Sequence, residues 1–270
     1  MKKERVVYLI STVYANIDNI FKKIPDKCEQ IEYLICCQVR NGRELKSIEN
    51  DKLQYLNRSD VNLSIMAELG LSKSRNFLLE QFFSQYVESF AVITDDDVEF
   101  IPLNYQNIDG IFKKLKSDVV TGRVLTPEGN YFSPYKSNYF KHNLRTSNSI
   151  SSIEIILSSS LSSTKTRFDE RFGLGAEFKM GEEAIYIGDL IKQGFNVSFY
   201  PLNTFYHPVE STGSKVDNDW FRAKGAFYAR KYGKLIGGLL LLRRLSNMVL
   251  AKKANLKESM ISFISLCKLS

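Results

Sequence analysis

Three acids in a row, Asp95-Asp96-Asp97, stand directly after the apolar run Phe90-Ala91-Val92-Ile93 and Thr94. Carboxylates this close repel one another, and each takes up a proton more readily unless a cation or strong donors compensate. A divalent metal is the natural compensator, because hard cations take oxygen ligands. In an open α/β sheet, ligands bind just beyond the carboxyl ends of the strands. The triplet therefore suggests a metal-assisted site for a phosphorylated ligand. The plain alternative is a solvated acidic turn that caps the next element.

Three further patterns accompany it in a fixed order. Gly70-Leu71-Ser72-Lys73-Ser74-Arg75-Asn76 opens a helical stretch and offers N–H groups and cations to a phosphate or a base. Phe168-Asp169-Glu170-Arg171-Phe172-Gly173-Leu174-Gly175-Ala176 leads to Gly181-Glu182-Glu183. Tyr206-His207-Pro208 follows. Each also has an ordinary reading: an N-cap with a solvated basic face, two glutamates at a helix N-terminus, and a polar strand cap.

Together the patterns resemble inverting nucleotide-sugar glycosyltransferases of family 2, with the GT-A fold, of the bacterial polysaccharide-synthesis type. The resemblance spans about residues 5–210. It implies a Rossmann-like α/β nucleotide-diphospho-sugar transferase fold and a metal-dependent hexosyltransferase using Mn2+ or Mg2+. The donor would be a nucleotide-sugar and the acceptor a growing, lipid-linked surface glycan, as in capsule synthesis. Asp95 and Asp97 resemble the two acids of the DxD motif. Asp97 is then expected on the metal, Asp95 on ribose or a metal-bound water, and Asp96 in support. His207 resembles the third metal contact, since neutral imidazole suits manganese-like ions. Lys73, Arg75 and Asn76 fall in the nucleotide-binding segment.

The acceptor hydroxyl must lose a proton as it attacks, and a nearby carboxylate is the natural base. Glu183 falls where the family has Asp, a departure that leaves the choice between Glu182 and Glu183 open, with Glu183 preferred. A second departure is Cys36-Cys37-Gln38, where many members carry a base-holding Asp. Gln38 offers an amide instead, both donor and acceptor. Ser11 is near the expected nucleotide pocket by position alone. Gly173 to Ala176 is read as shape that lets backbone approach an acceptor. Tyr131, Phe132, Tyr135, Tyr139 and Phe140 either stack an acceptor or pack on the core. His142 has no motif context and reads as a loop residue.

Strands must deliver these residues. Apolar runs predict strands at Val6–Ser11, Ile31–Gln38, Val61–Ser64, Ala91–Thr94, Val119–Val124, Ile153–Leu157 and Phe195–Tyr200, the last closed by Pro201. Helical patterns occupy Ile17–Ile24, a stretch from Ser72 or Ser74 to about Val87, Ile108–Leu115, Glu182–Gly194 and Trp220–Tyr232. Alternation of the two predicts a parallel sheet with crossover helices. Residues 126–150, rich in Asn, Ser, Tyr and Pro, read as irregular. The serine-rich run 158–163 reads as strand and turn.

The chain has 270 residues, 44% hydrophobic and 25% charged, as expected of a globular protein with an ordinary core. Its four cysteines show no disulfide-like spacing, which suggests a reducing compartment. The short apolar run after Met1–Arg5 falls below a signal peptide's needs. The net charge of +7 is uneven: residues 215–270 hold 12 Lys+Arg and 3 Asp+Glu, a balance of +9, while the other 214 residues balance at −2. That argues against a nucleic-acid-binding body and for a tail that meets an anionic surface. In the tail, Leu235–Leu242 ends on Arg243-Arg244, fitting an interfacial helix better than a spanning one. The alternative is a helix packed on the body or a partner.

The expected organisation is a catalytic domain over 1–214 and a basic amphipathic helical extension over 215–270, cytoplasmic and peripheral at the inner face of the cell membrane. Two other readings stay open: a non-catalytic partner subunit with the same fold, and a sugar-phosphate nucleotidyltransferase. The latter usually needs a Gly-rich basic loop after the first strand, and Ser11–Asp18 has neither Gly nor Lys. The sequence leaves the oligomeric state open.

Overall fold

The structure is a computed structural model that describes residues 1–55, 58–208, 216–251 and 254–268. The chain runs through β1 (Lys2–Lys3), β2 (Val6–Val13), α1 (Ile17–Lys23), β3 (Ile31–Gln38), α2 (Gly42–Tyr55), β4 (Val61–Met66) and α3 (Leu71–Gln85). Next come β5 (Tyr86–Val87), β6 (Phe90–Thr94), β7 (Glu99–Phe100), α4 (Tyr105–Leu115), β8 (Val119–Leu125), β9 (Phe140–Lys141) and β10 (Ile155–Ser158). It ends with α5 (Glu182–Lys192), β11 (Val197–Tyr206), α6 (Asn218–Tyr232), α7 (Lys234–Leu250) and α8 (Leu256–Lys268).

The main sheet has the order β4-β3-β2-β6-β10-β8-β11-β7, with β9 also on β11. Strands β4, β3, β2 and β6 are parallel, β10 runs against both β6 and β8, and β11 is parallel to β8. Strands buried on both faces read as continuous apolar runs, and β2 is buried from Val6 to Thr12. Its side chains alternate between two cores. Val6, Tyr8 and Ile10 pack with Ile17 and Ile20 of α1 and Ile108 and Phe112 of α4. Val7 and Leu9 pack with Leu78, Leu79 and Phe82 of α3 and Tyr186, Ile187 and Leu190 of α5. This is a helix–sheet–helix sandwich, the α/β architecture expected for a GT-A fold.

Several boundaries differ from the sequence expectation for physical reasons. α3 is capped by Gly70, not by Ser72 or Ser74, whose hydroxyls are used elsewhere. β11 does not stop at Pro201: its pairing with β8 is irregular between Phe199 and Asn203, and such an irregularity tolerates the missing proline N–H. Residues 152–154 form a 3-10 turn before β10, and the serine run 159–163 forms another. α2 was not anticipated; Asn41 opens it by accepting from the Arg43 and Glu44 N–H groups through Oδ1.

The boundary expected at 214/215 lies outside the described residues. Beyond it, α6 is built into the body. Ala223, Ala226 and Phe227 pack with Phe172, Phe178 and Ile185. Arg230 bonds both Asp169 and Asp189, and the buried Lys231 ammonium donates to Ser147 and Asn148. α7 and α8 pack on α6 through Phe221, Leu241, Leu245 and Leu266. No described helix is long and apolar enough to cross a membrane.

Candidate active site

Strand order reverses at β2, where the chain first adds β3 and β4 on one side and then β6 on the other. Such switch points leave a crevice at the strands' carboxyl ends. Asp95–Asp97 leaves β6 there, beside Thr12 near the end of β2 and Asn16 in the turn that follows it. Thr12 Oγ1 and Asn16 Nδ2 both donate to one Asp96 oxygen, at 2.8 and 3.1 Å. Burial nonetheless pushes the Asp96 carboxyl upward, with help from the charges of Asp97 and Asp95. Asp96 therefore ties the triplet to β2.

Arg75 is the centre of the site. It is 1% exposed and sits at the start of the second turn of α3. It bonds Asp95 Oδ1 at 2.9 Å, Glu183 Oε1 at 3.2 Å and Glu182 Oε1 at 3.4 Å. Its guanidinium also lies 5.6 Å from the Phe168 ring centroid. Its Nε has no hydrogen-bond partner among the described residues. Burial works against the guanidinium charge, but Asp95, Glu183 and Glu182 more than offset it, so its pKa lies above the ordinary arginine value.

Glu182 is buried, and burial first, then the Glu183 charge, raises its pKa, while Arg75 lowers it. Glu183 is the more open of the two, its side chain 17% exposed against 6%. The N-cap of their helix is Gly181 at φ +91°, where a Cβ would meet the Phe227 ring of α6 at 2.7 Å. α6 thus fixes where both glutamates start.

The flanking loop uses its small residues for packing. A Cβ on Gly173 would lie 3.0 Å from Ser72 Oγ and 3.2 Å from Glu182 Cδ, and one on Gly175 would lie 3.3 Å from Gly70 Cα. The Leu71 N–H at the start of α3 donates to the Leu174 carbonyl, so this loop takes one N–H the sequence reading offered to a phosphate. Ser72 Oγ donates to the Phe172 carbonyl.

The remaining residues singled out from sequence divide clearly. Ser11 is buried and accepts from Ser74 Oγ at 2.6 Å, pinning α3 to β2. Gln38 donates to the carbonyls of Glu68 and Gly70, shaping the turn into α3. Asn76 clasps Phe168, donating to its carbonyl and accepting from its N–H, and also reaches Glu170. Lys73 is exposed and paired with Glu68. Asp95 uses one oxygen on Arg75 and the other on Ser152 Oγ at 2.9 Å. Of the aromatic segment, Phe132 packs edge-on to His207, and Tyr135 and Phe140 stack on Phe199. Tyr131 and Tyr139 stay open to solvent. His142 lies in a loop, as expected, but is buried there and bonds Thr121 and Thr146.

Asp97 and His207 form the outer pair. Nδ1 of His207 lies 2.6 Å from the Pro208 carbonyl, which only accepts, so Nδ1 carries a proton. Nε2 then faces Asp97 Oδ2 at 3.2 Å. A bare lone pair on Nε2 would repel that carboxylate, so a proton or a metal cation must lie between them. Without a metal, the Asp97 bond raises the His207 pKa, and the same bond lowers that of Asp97. Adjacent ligands on an octahedral ion at ~2.1 Å stand about 3 Å apart, so the spacing fits a divalent cation. Among the described residues, no group of three His, Cys, Asp or Glu side chains forms a ready-made cage. Asp97 and His207 are the residues here that could hold a divalent cation.

Sequence reasoning missed Glu154. It is 5% exposed and accepts from Tyr135 Oη at 2.7 Å and from the Ser151 N–H at 3.3 Å. Burial pushes its pKa to about 7, with a further contribution from Glu183. The signal was Ser151-x-x-Glu154, a capping box, realised here on a 3-10 turn. A carboxylic acid with a raised folded pKa is most stabilising, relative to the unfolded chain, below its unfolded value of about 4.3. That advantage is lost as pH rises through 7. Glu154→Gln removes this dependence. Between pH 4.5 and 8 its unfolding free energy is expected to fall less than the wild type's, by on the order of 3 kcal/mol, read by calorimetry at the two pH values.

No family model matches the chain, and no curated protein does. Solved structures do match. S. aureus TarS residues 1–349 in complex with UDP-GlcNAc superposes with a TM-score of 0.62 at 16% identity, over 98% of this chain and 80% of that one. The same protein in complex with UDP gives 0.61 at 16% identity, over 94% and 76%. A longer TarS chain gives 0.54 at 15% identity, over 83% of this chain but 39% of that one. The sheet order, the two helical layers and this likeness together give the chain the GT-A fold.

Proposed function

We propose that the chain is an inverting glycosyltransferase that moves a hexose from a nucleoside-diphosphate donor to a growing, lipid-linked glycan. The observation that carries the reading is the Arg75 hub. One buried cation draws Asp95, Glu182 and Glu183 together at the switch-point crevice, next to the Asp97–His207 pair. Support also comes from the fold shared with TarS, whose structures hold UDP-GlcNAc and UDP.

In this reading Asp97 and His207 hold a divalent cation, which when bound neutralises charge on the leaving diphosphate. Asp95, fixed by Arg75 and Ser152, orients the donor at the mouth of the crevice. Glu183 is the base that takes the acceptor proton, because it is more open than Glu182. Glu182 holds Arg75 from beneath. Thr12 and Asn16 keep Asp96 in place behind the pair. Tyr131 is exposed, and Arg123 lies over its ring and donates to its hydroxyl, leaving the other side of the ring for an acceptor sugar.

A panel of nucleotide-sugars assayed for nucleoside diphosphate release with Mn2+ or Mg2+ tests the proposal. Turnover of at least one donor is expected, and Glu183→Gln should lower kcat by roughly 10²–10⁴-fold with little change in donor KM. An equal effect on both would remove the base role. Neither binding nor turnover of any donor would favour the non-catalytic subunit.

A further inference from the structure

α7 presents an apolar face to solvent. Leu235 is 86% exposed and Leu239 71%, and Ile236, Leu242 and Leu250 lie on the same outward arc. Its inward side, Gly237, Leu241 and Leu245, is what packs on the rest of the molecule. Gly237 lets the helices approach closely, since a Cβ there would meet the Tyr228 carbonyl oxygen at 2.3 Å. The helix is therefore held from behind with its greasiest side outward. Contiguous exposed apolar surface of this kind marks an interaction site.

We propose that this face of α7 docks on an anionic lipid bilayer, lying in the interface plane. Charge decides between a membrane and a second copy of the chain. α7 contains Arg243 and Arg244 and no Asp or Glu. At 100° per residue, Arg243 falls within the apolar arc, between Leu239 and Ile236. Self-association through this face would bring Arg243 of both copies against leucines with no acid on either helix to meet them, and unpaired buried charge is costly. A bilayer accommodates the same arrangement. The leucines enter the acyl boundary while the long arginine stem snorkels its charge to the phosphates. The +9 balance of residues 215–270 adds attraction to anionic headgroups. At 17 residues the helix lies on the membrane rather than crossing it.

This deepens the lipid-linked acceptor part of the proposed function, yet it is read independently of transfer. The 270-residue chain is sedimented with phosphatidylcholine vesicles with and without phosphatidylglycerol. Binding is expected to the phosphatidylglycerol vesicles and to fall with added salt. Leu235→Ser/Leu239→Ser should weaken it roughly tenfold or more. Arg243→Gln should reduce the preference for phosphatidylglycerol. All three side chains are exposed, so melting temperature and nucleoside diphosphate release without vesicles should stay at wild-type values. No binding to either vesicle, or binding indifferent to the leucine changes, overturns the proposal. So does concentration-dependent self-association that the same leucine changes abolish. Loss of donor turnover with vesicle binding intact would strike the transfer reading alone.

Discussion

Arg75→Ala is expected to destabilise the protein by about 3–5 kcal/mol, the cost of removing one partner from a buried ionic cluster. Set against a typical total of about 5–15 kcal/mol, that is a large loss. The side chain it removes is 1% exposed and faces three carboxylates. The penalty comes less from the lost bonds than from Glu182, left buried beside Glu183 without the cation that lowers its pKa. The pH dependence separates this cause from simple loss of packing. In the variant, Glu182 is driven further above its unfolded value, so its stabilising effect persists only at low pH and disappears as pH rises. With the Glu182 pKa at about 8 in the wild type, the destabilisation should therefore grow as pH rises through 8, and be larger at about pH 9.5 than at about pH 6. Adding Glu182→Gln to Arg75→Ala should recover part of the loss, a coupling that a double-mutant cycle reads directly. Denaturant melts at the two pH values check it. An equal penalty at both would assign Arg75 a packing role only.

The residues of this hub were visible in the sequence, but their meeting was not. Arg75 read as a helix-start cation and Glu182-Glu183 as acids at another helix start, more than 100 residues apart. Only the sheet order brings α3 and α5 to the same layer and lets the Gly173–Ala176 loop close over them. Strands such as Ile31–Gln38 were legible because a parallel strand buried on both faces has no polar side to blur its apolar run. Pro201 misled because a proline ordinarily ends pairing, and here the irregular stretch of β11 carries it. Glu154 stayed hidden because burial, not residue type, makes a carboxyl unusual. Asn76 and Gln38 looked like ligand-binding amides, yet both satisfy backbone groups of neighbouring turns. Polar residues at a site's rim build its walls as often as they face its contents, and sequence does not separate the two.

Asp97→Asn is expected to lower the His207 pKa and to weaken Mn2+ binding at least ~10-fold, with the fold unchanged. The fold should survive because the Asp97 side chain is 62% exposed and its ion-pair partner among the described residues is His207 Nε2. The pKa should fall because the Asp97 bond is the chief cause that raises it. NMR can follow this in the metal-free protein, since the chain has two histidines. The other, His142, is held neutral by burial, its pKa pushed down to about 4, so the two titrations do not overlap. The same geometry fixes the direction of the metal's pH dependence. Nδ1 is committed to the Pro208 carbonyl, so a proton and a cation compete for Nε2. Mn2+ affinity, measured with UDP present, should fall as pH drops below the His207 pKa and level off above it. His207→Ala should weaken Mn2+ binding and flatten that dependence together. If Asp97→Asn leaves both the His207 titration and Mn2+ binding at wild-type values, the pair is a surface contact and the cation must be sought elsewhere in the crevice.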